Sequence, residues 1–258
     1  MTEILITEFI TGILIFMRIG AMVFTAPVLS NRAIPTIPKL AVSLLITYIV
    51  LHMVDDFAYN YEDGLIPLAI IGFKEMLTGI IMGFMLNFSF YAISYAGMLI
   101  GFDIGLGAAM GFDPASESNT NIIGQVFSTM AFLIFLLING HHYVIRGLGY
   151  SFNIIPIGFY TVNKPVVDLL VNYAGGIFII AVKIASPIMV SFFLMHIAAG
   201  IIARVSPQMN VFFVLQPLKM GLGFFLLVAV IPIYVYAFKE ILNGYEEKLY
   251  QLIKAMSL

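Results

Sequence analysis

Long apolar stretches alternate with short polar connectors along the chain, and this alternation predicts helices built for an apolar environment. The first stretch, 9–29, follows Glu3 and Glu8 with no basic flank and no small-residue cleavage pattern, so it is not expected to be a removable signal peptide. The connector 30–39 carries Pro35 and Pro38 and breaks the helical pattern sharply. A second apolar stretch, 40–54, gives way to Asp55, Asp56, Glu62 and Asp63, which read as a solvated loop.

Between 65 and 102 the apolar pattern has no convincing break, and Pro67 near its start suits a first helical turn. One helix there would be about 57 Å long at about 1.5 Å per residue, against a hydrocarbon core of about 30 Å. Two readings are open: a helical hairpin turning at Asn87, Phe88 and Ser89, or one long tilted helix. At about 100° per residue, Gly72, Gly79, Gly83, Gly97 and Gly101 fall within about 20° of one line, as a single helix would place them. A glycine-rich passage, 101–111, and a polar segment, 113–121, come next. The apolar run 122–138 precedes a mixed stretch, 139–173, expected to be the longest connector. Two more apolar runs, 174–203 and 211–238, flank the short polar segment 204–210. The tail, 239–258, alternates charged and apolar positions and suits an amphipathic terminal helix.

Composition turns this pattern into a class. Charged residues make up 10% of the 258, against about 25% in an ordinary soluble domain. The expected fold is an all-α membrane-type protein with almost nothing left over for a soluble domain. There is no Cys, which excludes disulfides and thiolate sites, and four His are too few for a multinuclear centre. With 12 Lys and Arg against 14 Asp and Glu, no basic surface is left to hold nucleic acid. The basic residues on the connectors favour neither orientation, as suits a chain whose segments are held by partners.

Several ionisable groups stand inside the apolar runs: Arg18, Lys74, Glu75, Lys183, His196 and Lys219, with Asp103 in the glycine-rich passage. An Arg, Lys or Asp at the bilayer centre costs about 2.5–3.5 kcal/mol, so the set asks for protein partners or water. Such groups either relay ions or protons, or pair with one another and with neighbouring subunits. Lys74 and Glu75 are adjacent, point different ways on a helix and cannot satisfy each other. Arg204 and Gln208 bracket Pro207 in the last short connector, and His141 and His142 are expected to line a polar loop.

Glycine spacing is the most informative pattern. Gly79 and Gly83, then Gly97, Gly101 and Gly105, then Gly107 and Gly111 recur at intervals of four, the spacing that lets helix backbones approach closely. The segment Met110, Gly111, Phe112, Asp113, Pro114, Ala115 and Ser116 joins that permissive backbone to a helix start in which Asp113 caps and Pro114 opens the first turn. Met110 and Phe112 make it suited to a seal rather than a reactive site. No nucleophile elbow, HExxH or P-loop is present, so neither an enzyme nor a metal or cofactor site is expected.

The assembled residues resemble the FliR family, the R subunits of the bacterial flagellar type III export gate and their counterparts in virulence type III secretion. The resemblance rests on Arg18, the run from Ala26 through Pro27, Val28 and Leu29 to Ser30, Pro35, Lys39 and Leu40, then Gly101, Gly105 and the run from Phe112 to Ser116. Asn139, Gly140 and His141, Pro156, Ile157 and Gly158, and finally Arg204, Pro207, Gln208 and Phe212 continue it in the family's order. It implies long tilted helices and hairpins packed into a helical hetero-oligomeric assembly, with a P-like portion over about 1–205 fused to a Q-like C-terminal hairpin over about 206–258. It also implies one copy beside several FliP and FliQ subunits, FlhB against the outside, and a place in the inner membrane at the flagellar basal body. Unfolded export substrates would pass through the channel, and the stretch around 110–122 would plug it when closed.

From the residues and the resemblance together, the expected function is a structural, non-enzymatic component of that export gate, in contact with membrane lipid and with no nucleic acid. The alternative from another class is a small ion-coupled secondary transporter using Arg18, Glu75, Asp103 and Lys183. It would call for inverted repeats, and no internal repeat is evident.

Overall fold

The computed structural model of the chain describes residues 2–27, 34–53, 64–105, 122–160 and 163–257, which form seven helices and no strand. They are α1 (Thr2–Thr25), α2 (Thr36–Leu51), α3 (Leu65–Ile104), α4 (Ile122–Leu137), α5 (Gly140–Ile154), α6 (Lys164–Val205) and α7 (Val211–Met256). Four stretches, Ile6–Thr25, Leu65–Ile104, Lys164–Val205 and Phe213–Met256, are long and apolar enough to cross a membrane, and a fifth if α4 and α5 form one broken span. The chain is therefore an all-α membrane protein.

The open question at 87–89 is settled, because α3 is one helix of 40 residues, about 60 Å at about 1.5 Å per residue. Asn87 supports that continuity by bonding within its own helix, Nδ2 donating to the Gly83 carbonyl at 3.4 Å, and outward to the Thr25 carbonyl at 2.5 Å. Other expectations need correction. The stretch 139–173 is not a connector: α5 occupies Gly140–Ile154, and α6 begins already at Lys164 and runs 42 residues. Asn163 caps α6, its Oδ1 accepting from the Val166 N–H at 3.2 Å, and this cap starts the helix well before the apolar run. His141 and His142 thus sit in the first turn of α5, their ring centroids 4.3 Å apart, and not in a loop.

The tail is not a separate helix either, since α7 continues for 46 residues through Pro217 and Pro232 to Met256. Among the described residues, 206–258 form the short turn 206–210 and the single helix α7, and that turn joins α6 to α7. The first turns of α6 meet the last turns of α7, with Asn163 Nδ2 donating to the Ala255 carbonyl at 2.6 Å and Lys248 Nζ 5.3 Å from the Tyr173 ring centroid.

The chain divides into two compact units, one of Met1–Phe88, Ile138–Ala174 and Leu242–Leu258, the other of Ser89–Leu137 and Gly175–Ile241. In the first, α2 is amphipathic the wrong way round for water. Lys39, Ser43 and Thr47, at intervals of four, are buried, while Leu44, Leu45, Tyr48 and Ile49 face outward. Ser43 and Thr47 satisfy their hydroxyls on the carbonyls of Lys39 and Ser43, at 2.9 and 2.7 Å. Turning apolar side chains outward and closing polar ones inward is the arrangement an apolar surround demands.

The second unit has an aromatic core. Phe90 meets Phe135 and Phe238 edge-on at 5.8 and 5.5 Å between centroids, and Phe127 lies 4.5 Å from Tyr234. The Tyr234 hydroxyl is also closed off from solvent and donates to the Phe127 carbonyl at 2.5 Å.

Candidate functional site

The most polar place inside the first unit is built around Arg18, which α1 carries inward with no solvent exposure. Its Nε donates to Glu75 Oε2 of α3 at 2.6 Å, and Glu75 is equally buried. Nη2 donates to the Ile155 carbonyl at 3.1 Å, Nη1 reaches Ser151 Oγ at 3.4 Å, and the guanidinium carbon lies 4.2 Å from the centre of the Phe152 ring. The second carboxylate oxygen, Oε1, accepts from the Gly158 N–H at 2.9 Å. Lys74 Nζ donates to the carbonyl of the same Gly158 at 3.3 Å.

Lys74 and Glu75 hence grip one peptide turn from both of its polar sides, which their divergent directions on a helix allow. Gly158 takes φ +85°, the left-handed region that a side chain resists, and this turns its N–H and carbonyl toward the two α3 residues. Every charged atom in this cluster has a partner, as a buried ion pair requires if it is not to destabilise the fold. Nearby, burial raises the ordinary pKa of the Tyr160 phenol.

A seam of glycines holds α1 against α3 beside this cluster. A Cβ at Gly79 would overlap the Arg18 carbonyl oxygen, one at Gly83 would overlap Thr25 Oγ1, and one at Gly72 would stand 2.8 Å from Met17 Sδ. Contacts advance along both helices together, so α1 and α3 run parallel here. In the second unit, a Cβ at Gly97 would stand 2.7 Å from the Gly124 Cα of α4, glycine against glycine. Gly101 is buried on the same helix. Gly105 ends α3 at φ +86°, and Gln216 of α7 lies across it, Nε2 donating to its carbonyl at 3.5 Å. Asp103 sits within electrostatic reach of His196 and Lys219 in this unit.

The remaining expected site residues lie elsewhere. Lys183 is exposed midway along α6, Arg204 is exposed in its last turn, and Gln208 is exposed in the turn that follows. Met110, Gly111, Phe112, Asp113, Pro114, Ala115 and Ser116 lie outside the described residues. Among the described residues no group of His, Cys, Asp and Glu could hold a metal ion. Sequence reasoning did not single out Ser151, Phe152 or the Ile155 carbonyl as partners of Arg18. No spacing links positions so far apart, and only the glycine at 158, after Pro156, hinted at a turn there.

Comparison with known proteins bears on the whole chain. Residues 9–245 match the family described as bacterial export proteins, family 1. The flagellar biosynthetic protein FliR of Bacillus subtilis (strain 168) is 31% identical over 219 residues, 84% of each chain. The protein of the same name from Escherichia coli (strain K12) is 31% identical over 236 residues, 88% of each chain, and that of Aquifex aeolicus (strain VF5) is 28% identical over 224 residues, 87% of this chain and 86% of its own. A family match and relatives that both extend over most of the sequence place this chain among the bacterial export proteins of family 1, the family of the FliR proteins.

Proposed function

We propose that the chain is a structural subunit of the flagellar protein export gate in the bacterial inner membrane and forms part of the channel through which unfolded flagellar proteins leave. The observation that carries this reading is the near full-length similarity to flagellar biosynthetic FliR proteins. Two physical features support assembly with other subunits. Helices of 40, 42 and 46 residues exceed what a bilayer of about 30 Å needs. Large apolar side chains also face outward along α6 from Val167 to Val205 and along α7 from Phe213 to Tyr236.

In this reading one copy joins several FliP and FliQ subunits, FlhB lies against the outside, and lipid covers what protein does not. The Q-like hairpin is α6 with α7, so its first arm lies before the turn at 206–210 that the sequence marks as a boundary. Gly79, Gly83, Gly97, Gly101 and Gly105 serve close helix packing, Met110 to Ser116 plug the closed channel, and Lys183, Arg204 and Gln208 meet other subunits. The role is mechanical and calls for no catalysis and no cofactor. The transporter alternative draws less support, because Arg18 and Glu75 are spent on each other inside the subunit.

The test is coexpression with FliP and FliQ subunits and extraction in mild detergent. The tagged chain is expected to emerge in a hetero-oligomer. A chain that emerges alone and monodisperse overturns the reading, and solute-coupled pH change in proteoliposomes holding this chain alone would favour the transporter.

A further inference from the structure

Between the two compact units the chain passes four times, at 88/89 in α3, at 137/138 between α4 and α5, at 174/175 in α6 and at 241/242 in α7. Each passage has a residue that weakens a helix within one turn of it. Asn87 and Ser89 flank the first, and side chains of their kind compete for backbone hydrogen bonds. At the second the helix breaks, and Asn139 takes φ +57°, the one non-glycine residue in the left-handed region among the described residues. Gly175 and Gly176 stand at the third passage, Asn243 and Gly244 at the fourth.

Close packing within the chain does not account for these glycines. A Cβ at Gly175 or Gly176 would meet nothing within 4 Å, and one at Gly244 only the Lys248 stem of its own helix at 4.0 Å. Gly79, Gly83 and Gly97 are different, because a side chain there would strike a neighbouring helix. A glycine inside a helix costs stability relative to alanine, since its backbone is freer in the unfolded chain, and the same freedom lowers the helix's resistance to bending. Two bodies joined by four passages reorient only if all four yield, and here all four carry a weak point. Gly149, Gly200 and Gly221 are equally open but lie inside one unit or the other, so they supply the comparison.

We propose that Asn87 with Ser89, Asn139, Gly175 with Gly176, and Gly244 form a composite hinge about which the two units reorient as the export channel opens. Because α3, α6 and α7 continue through their passages, a few backbone dihedrals absorb the change while the inside of each unit stays packed. The role in opening rests on the reading of the chain as an export-gate subunit, whereas the bending itself does not.

The chain has no Cys, so introduced cysteine pairs take spin labels at chosen places. In the full chain in detergent, Phe9→Cys with Phe225→Cys reports across the units and Val190→Cys with Phe225→Cys within one, all three positions being exposed. The distance distribution across the units is expected to be about twofold wider than the one within a unit. Gly175→Ala, Gly176→Ala and Gly244→Ala together narrow it toward the within-unit width, while Gly200→Ala with Gly221→Ala leaves both widths unchanged. Coexpressed with FliP and FliQ subunits in cells lacking their own copy of the chain, the triple variant is expected to yield as much complex as wild type but to export flagellar proteins several-fold less. Equal widths, or widths that the three alanines do not change, overturn the hinge. Wild-type export from the triple variant overturns its role in opening, and a loss of complex overturns it as well, because the glycines then pack against another subunit. If wild type does not assemble with FliP and FliQ subunits, the export-gate reading falls while the distance widths still decide the hinge.

Discussion

Arg18 and Glu75 are 57 positions apart in the chain, yet the guanidinium Nε and the carboxylate Oε2 meet at 2.6 Å with no solvent reaching either side chain. The pair joins α1 to α3 and, through the Ile155 carbonyl and the Gly158 N–H, holds the end of α5 and the turn after it. Removing one partner leaves a bare charge in an apolar interior. Arg18→Met or Glu75→Leu alone is therefore expected to cost about 3–5 kcal/mol, and the double variant much less than the sum of the two. Unfolding of the detergent-solubilised chain in a double-mutant cycle measures this. Additive losses would mean that the two groups do not depend on each other.

The glycines divide into those that touch a neighbour and those that do not. A Cβ at Gly79 would strike the Arg18 backbone, whereas one at Gly200 meets nothing within 4 Å. Gly79→Ala is expected to destabilise by about 1–3 kcal/mol, as overpacking against rigid backbone does. Gly200→Ala, in a helix interior with open space, is expected to leave the isolated subunit unchanged or stabilise it by about 0.5–1 kcal/mol. Paired thermal unfolding curves distinguish the two, and equal effects would count against the seam between α1 and α3.

How far the sequence reveals such relationships depends on whether the signal is periodic or singular. The glycine line from 72 to 101 and the unbroken apolar run make a single long α3 one of two readings the sequence offers, because regular spacing survives without knowledge of neighbours, and only the structure decides against a hairpin at 87–89. The burial of Arg18 was legible too, since an arginine amid apolar residues requires a partner. Which partner was not, because Glu75, Ser151 and Gly158 are joined to it by tertiary packing and by no local pattern. The start of α6 escapes the sequence pattern for a different reason. Lys164, Asp168 and Asn172 dilute the apolar pattern, while the Asn163 cap and contacts with the end of α7 fix the helix there.

The last turns of α7 offer a separate test of packing in the first unit. Leu249 is fully buried and occupies the space above Gly147 of α5, so closely that a Cβ on that glycine would overlap Leu249 Cδ2. Leu249→Ala is expected to cost about 2–5 kcal/mol through lost burial and the cavity left behind. Gly147→Ala should also destabilise in the wild-type background. Combined with Leu249→Ala it should do so far less, because the added methyl enters the vacated space. Denaturant titration of the four proteins checks the coupling, and a Gly147→Ala penalty that is the same in both backgrounds would show that the two residues do not compete for one volume.

The proposed plug makes a prediction about permeability rather than stability. Residues 112–121 contain Phe112, Asp113 and Pro114 and follow a glycine-rich passage, so they join a bulky apolar group to a backbone that bends at small cost. Arg18, Glu75 and Gly158, which join α1, α3 and the turn after α5, all lie outside 112–121 in the sequence. Deleting 112–121 is therefore expected to leave the yield of the assembled complex near wild type while cells become permeable to ions or small solutes that the closed gate normally excludes. Conductance or dye uptake in cells carrying the deletion reads this directly, alongside complex yield from the same membranes. Unchanged permeability with normal assembly would remove the plug role, whereas loss of assembly would show that the segment is part of the packing between subunits.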